Sequence, residues 1–118
     1  MRGWQLMDIN QLGFFQFDNL IQNRVPFVLL NLGVNLDHLY SGFWAMHLQN
    51  VNTPCTAADA VSKVQEKKVP NHYAVVIIDT DGSQAKKLVP ALEKAGFTNT
   101  YYVKDGLRGL DKERQEAK

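Results

Sequence analysis

Apolar residues fall along this chain in two patterns, short unbroken runs and longer stretches spaced by three or four. Phe27-Val28-Leu29-Leu30-Asn31-Leu32 and Ala74-Val75-Val76-Ile77-Ile78 are of the first kind. A run without polar alternation suits a strand covered on both faces, and Pro26 and Gly33 bound the first of them. Both are predicted as central parallel strands, and Thr100-Tyr101-Tyr102-Val103 as a last short one. After Asp8, the residues Ile9, Leu12, Phe14, Phe15, Phe17, Leu20 and Ile21 recur at helical spacing, with Gly13 weakening the middle, which predicts one or two helical pieces. Thr53-Pro54 reads as an N-cap followed by a first-turn proline, and Ala57, Ala58, Ala60, Val61 and Val64 as the inward face of a helix ending before Pro70. A further helix runs from Ser83 to Ala95, closed by Gly96 with Phe97 folding back. Pro90 lies inside it, removes one backbone hydrogen bond at a cost of about 3 kcal/mol, and predicts a kink near Lys86 to Pro90. Asp37 to Leu48 fits a short helix and an irregular loop equally well.

Strand and helix alternate throughout, which calls for an α/β fold: an open parallel sheet flanked by helices on both faces and joined by right-handed crossovers. The 118 residues suffice for one domain, placed at 1–110, with a Gly106 and Gly109 loop leading to a charged tail, 111–118, expected to fray.

Composition narrows the functional classes. Apolar residues at 45% and charged residues at 21% are those of a folded domain, and a net charge of +1 with no basic stretch interleaved with aromatics excludes a nucleic-acid groove. The longest apolar run is far short of the roughly 20 residues needed to span a bilayer. Met1 to Asp8 holds no apolar segment of signal-peptide length, so the expected address is the cytoplasm, without membrane attachment. Cys55 is the single cysteine, and with His38, His47 and His72 scattered it offers no zinc-type spacing, so no metal and no cofactor is expected.

The order of elements, together with Lys94-Ala95-Gly96-Phe97-Thr98-Asn99 and Tyr101-Tyr102-Val103-Lys104-Asp105-Gly106-Leu107, resembles a single rhodanese-like domain. That resemblance implies a rhodanese-like sheet and an active loop that opens with a cysteine at the end of the central strand and closes with a basic residue. Main-chain N–H groups of such a loop, and of the helix after it, lower the thiol pKa and hold an anionic persulfide. Aligned on Gly82, the loop here is Asp79-Thr80-Asp81-Gly82-Ser83-Gln84: Asp79 stands at the cysteine position and Gln84 at the basic one. A register slipped by one would put Ile78 there, with the same result. The family's Asp-x-Arg falls near Asn31-Leu32-Gly33, and its Gly-His-Ile turn near Gly42-Phe43-Trp44, of which only the glycine is kept. The resemblance therefore implies a vestigial active loop, a candidate pocket rim at Asn31, Gly33, Gly42, Phe43 and Trp44, no catalytic residue, and service as a binding, regulatory or interaction module for a protein partner or a second copy of the chain.

The same loop carries a second resemblance. Ile77-Ile78-Asp79-Thr80-Asp81-Gly82-Ser83 is similar to the first motif of haloacid-dehalogenase-like phosphatases, in which the first aspartate attacks phosphorus, the second is the acid/base, and both help hold Mg²⁺. Asp79 and Asp81 would take those roles. Lys104-Asp105 and Asp111 are available downstream, but the 36 residues after Gly82 are too few to wrap a second acidic cluster back onto the sheet, which places this alternative second. The plainest reading needs no ligand: Asp81 or Ser83 caps the following helix, and Asp79 accepts loop N–H bonds at its positive end.

Overall fold

The computed structural model describes residues 10–116. The expectations placed on residues before Asn10, and on 117–118, lie outside the described residues. In chain order the elements are β1 (Gln11–Leu12), α1 (Phe14–Gln22), β2 (Val28–Asn31), α2 (Gly42–Val51), β3 (Asn52–Pro54), α3 (Ala60–Glu66), β4 (Val75–Ile78), α4 (Ser83–Lys94), β5 (Thr100–Val103) and α5 (Gly106–Glu116). The five strands form one sheet in the order β1-β5-β4-β2-β3, and every neighbouring pair is parallel.

The two unbroken apolar runs sit side by side at its centre, with Val28 opposite Val75 and Asn31 opposite Ile78. All four residues of each strand are buried. The pleat sends alternate side chains to opposite faces. Leu29, Val76 and Ile78 pack with Phe17 and Ile21 of α1, Leu48 and Val51 of α2, and Leu110 of α5. Val28, Leu30, Val75 and Ile77 pack on the other side with Ala60 and Val64 of α3 and Ala85, Leu88 and Leu92 of α4. The predicted class, α/β with helices on both faces, is the observed one.

Several local expectations need correction. Gly13 does not weaken a helix; it precedes α1, its N–H bonded to Gln16 Oε1 at 2.7 Å, and Leu12 belongs to β1, whose two residues are too few to show a period. Thr53-Pro54 is not a helix start. It lies in β3, with Leu30 opposite Thr53, and an edge strand tolerates a proline whose missing donor faces away from the sheet. The turn into α3 is made later by Thr56 and Asp59, where the Thr56 N–H donates to Asp59 Oδ1 at 2.7 Å. The undecided stretch at 37–48 divides into a loop and the first part of α2. The helix expected from Ser83 is found as α4, which carries Pro90 on its exposed side and extends to Lys94. Its end is as predicted: the N–H of Gly96 reaches Glu93 O and that of Phe97 reaches Leu92 O, both at 3.0 Å.

The largest difference is at the end of the described chain. Gly106 and Gly109 are not in a loop, and the residues after them, up to Glu116, are not a tail; all belong to α5. The glycines are there because α5 presses against other backbone. A Cβ on Gly106 would collide with the main chain of Asp79 to Asp81, and one on Gly109 with the Lys104 carbonyl. The first N–H groups of α5 are spent on that contact, Leu107 donating to Asp79 O at 2.8 Å and Arg108 to Thr80 O at 3.1 Å.

The strand order also fixes where a site can form. From β2 the chain passes to β3 on one side, and from β4 to β5 on the other. Such a reversal opens a crevice beyond the carboxyl ends of the two strands. The 79–82 loop and the 32–41 loop both leave from it, tied by the Leu32 N–H to Ile78 O at 2.9 Å.

Candidate functional site

Asp79 follows the last residue of β4 and is only 4% exposed. Its Oδ1 accepts the N–H of Gly82 at 2.6 Å, while Oδ2 accepts those of Gln84 at 2.9 Å and Ala85 at 3.1 Å. Gly82 immediately precedes α4, so Gln84 and Ala85 lie in its first turn and carry amides with no partner inside the helix. The carboxylate thus occupies the focus of three main-chain donors and the positive end of a helix dipole. Gly82 makes the turn possible through a left-handed φ of +92°, and a Cβ there would lie 3.1 Å from the Asp105 nitrogen.

The cap is therefore Asp79 rather than Asp81 or Ser83. Asp81 is exposed and accepts the N–H of Ser83 at 3.0 Å and its hydroxyl at 2.8 Å. These bonds hold the Asp81 carboxyl below its ordinary pKa. Thr80 contributes its carbonyl to α5, and Gln84 contributes its N–H to Asp79, its own side chain being exposed. Beside the loop, Asp81, Gly82 and Ser83 with Gln11, Lys86 and Asp105 line a depression of about 320 Å³.

Of the candidate rim residues, Asn31 alone lines a neighbouring cavity, one of about 410 Å³ between the 32–41 loop and α2. Asn31 is 5% exposed and fully engaged: Oδ1 accepts the Val34 N–H at 2.8 Å, and Nδ2 donates to Val34 O at 2.9 Å and Asn52 Oδ1 at 3.1 Å. Gly33, Gly42, Phe43 and Trp44 line neither this cavity nor the depression beside Asp81. Gly42 opens α2, and Phe43, Trp44 and Met46 on that helix are 74%, 46% and 58% exposed. Phe17 is buried while Phe15 of the same helix is turned outward, as expected of aromatics too closely spaced to share one face.

Cys55 directly follows β3 and continues its ladder, its N–H reaching Asn31 O at 2.9 Å. Burial, with Asp59 nearby, raises its thiol from 9.0 to about 11, the opposite of what sulfur chemistry needs.

Two features of the site escaped the sequence. The grip of α5 on the loop carbonyls was hidden because its glycines read as breakers. The polar lining around Asn31, which includes Asn35, Asp37, Gln49 and Asn52, comes from three separate segments. Its only advance signal was an asparagine inside an apolar strand. Neither a scan against protein-family models nor a search of the curated proteins finds a match to this chain.

Proposed function

We propose that this chain is a rhodanese-like domain that carries no sulfur and works as a small binding module. The carrying observation is the Asp79 carboxylate at the focus of three main-chain N–H groups. In the family such a loop is an anion cradle for a persulfide; here the cradle holds an anion that is part of the chain. A carboxylate accepts no sulfane sulfur, and its fixed charge repels thiosulfate from the same donors. The exposed Phe43, Trp44 and Met46 on α2 support the binding half of the reading, since large apolar side chains grouped on one helix suit a protein partner or a second copy.

The expected outcome with thiosulfate and cyanide is no thiocyanate above a heat-treated control. Turnover that disappears in Cys55→Ala would overturn the reading.

The phosphatase alternative keeps its sequence motif, but the geometry favours it less. Both oxygens of Asp79 face main-chain donors, not an open metal position or an in-line approach to phosphorus. Hydrolysis of a chromogenic phosphate ester with Mg²⁺, abolished by Asp79→Asn, would promote it.

A further inference from the structure

Across the crevice from Asp79, the cavity around Asn31 has a chemistry of its own. We propose that it binds an uncharged, hydroxyl-rich small molecule of about monosaccharide size. This deepens the binding-module reading and rests on it only for the premise that the domain takes a ligand.

The charge of the lining comes first. No lysine, arginine or histidine lines the cavity, and Asp37 places a carboxylate on it. Phosphorylated or carboxylated ligands meet repulsion there with no compensating cation. The second argument is the inventory of hydrogen-bonding groups. Asn52 accepts from Asn31 through Oδ1, which leaves its NH₂ group uncommitted. Asn35 accepts the Asp37 N–H through Oδ1 at 2.8 Å, which leaves its NH₂ group in the same state. The side chains of Gln49 and Asp37 have no partner among the described residues. Amide donors set beside a carboxylate acceptor match hydroxyl groups, each of which accepts and donates at once.

The walls are held before any ligand arrives. Asn31 fixes the Val34 end of the loop to the sheet. Further along, the Tyr40 hydroxyl donates to Asp18 Oδ1 on α1 at 2.7 Å, and His38 Nε2 lies 2.8 Å from Asp111 Oδ1 on α5. Buried Leu36 and Leu48 supply an apolar floor for the C–H face of a ring. The volume is at the small end of the roughly 300–1,000 Å³ usual for ligand pockets, which suits one ring.

The test is a titration of the isotope-labelled protein with glucose, ribose and myo-inositol, read from backbone amide resonances, with glucose 6-phosphate as the charged control. At least one neutral polyol is expected to shift the amides of Asn35, Asp37, Gln49 and Asn52. Glucose 6-phosphate and the Asp37→Ala variant are each expected to bind about tenfold more weakly than the neutral sugar binds the unaltered protein. Asp37 is exposed, so that variant should keep its fold; Gln49→Ala, also at an exposed position, provides a second reading. Silence from all three polyols, shifts confined to the 79–85 loop, equal binding of the phosphorylated sugar, or indifference to both substitutions would each overturn the proposal. None of these results changes the thiosulfate assay, so failure here and failure of the sulfur-free reading are separable.

Discussion

A carboxylate surrounded by three main-chain N–H groups is held as firmly as a bound ion, and Asp79 is in that position. Removing it leaves buried donors at Gly82 and Ala85 without a partner. Asp79→Ala is therefore expected to lower unfolding free energy by about 2–3 kcal/mol in a denaturant titration. Asp81→Ala, at an exposed position bonded only to Ser83, should leave the midpoint nearly unchanged. Cys55 gives a pH-dependent counterpart. Its folded-state value, raised from 9.0 to about 11, means that the stability associated with the neutral thiol is fully present below about pH 9 and lost as pH rises through about 11. At neutral pH its thiolate fraction should be about a hundredfold below that of an unshifted thiol, and alkylation by iodoacetamide correspondingly slow. The role of Asp79 as an acceptor of loop amides was legible from an acid placed between a strand and a helix. That it displaces Asp81 as the cap was not, because the choice depends on the left-handed turn at Gly82.

Among the elements, α5 does the most to shape the site. It holds the Asp79 and Thr80 carbonyls while Asp79's side chain holds the amides of α4, so the loop is gripped on both of its polar edges. Gly106 is the contact point, with a φ of +61° and no space for a Cβ against the 79–81 backbone. Gly106→Ala should cost about 2 kcal/mol or more in thermal or chemical unfolding, a larger effect than alanine at an exposed position elsewhere on α5. The misreadings at this scale share a cause. Gly106 and Gly109 serve a close approach, and Thr53-Pro54 pairs at a sheet edge; both are tertiary facts that override local signals. The unbroken runs at β2 and β4, and the Gly96-Phe97 helix end, were legible because their determinants lie within a few residues of one another.

At the scale of the molecule, alternating strands and helices with no polar break in the central runs sufficed for a parallel sheet covered on both faces. No helix among the described residues is long and apolar enough to cross a membrane. The crevice between β2 and β4 was beyond the sequence's reach, because it depends on a strand order that places β4 beside β2 and β5 beyond it. What the fold brings to that crevice is a cradle made for an anion and an anion already in it. The most direct test is to replace the occupant in a background without the native thiol, Asp79→Cys with Cys55→Ala, and to follow alkylation rate against pH. If the loop amides and the start of α4 form the cradle described, the new thiol should titrate well below the usual value of about 8.5. A thiol titrating at or above that value in a folded variant would contradict the account.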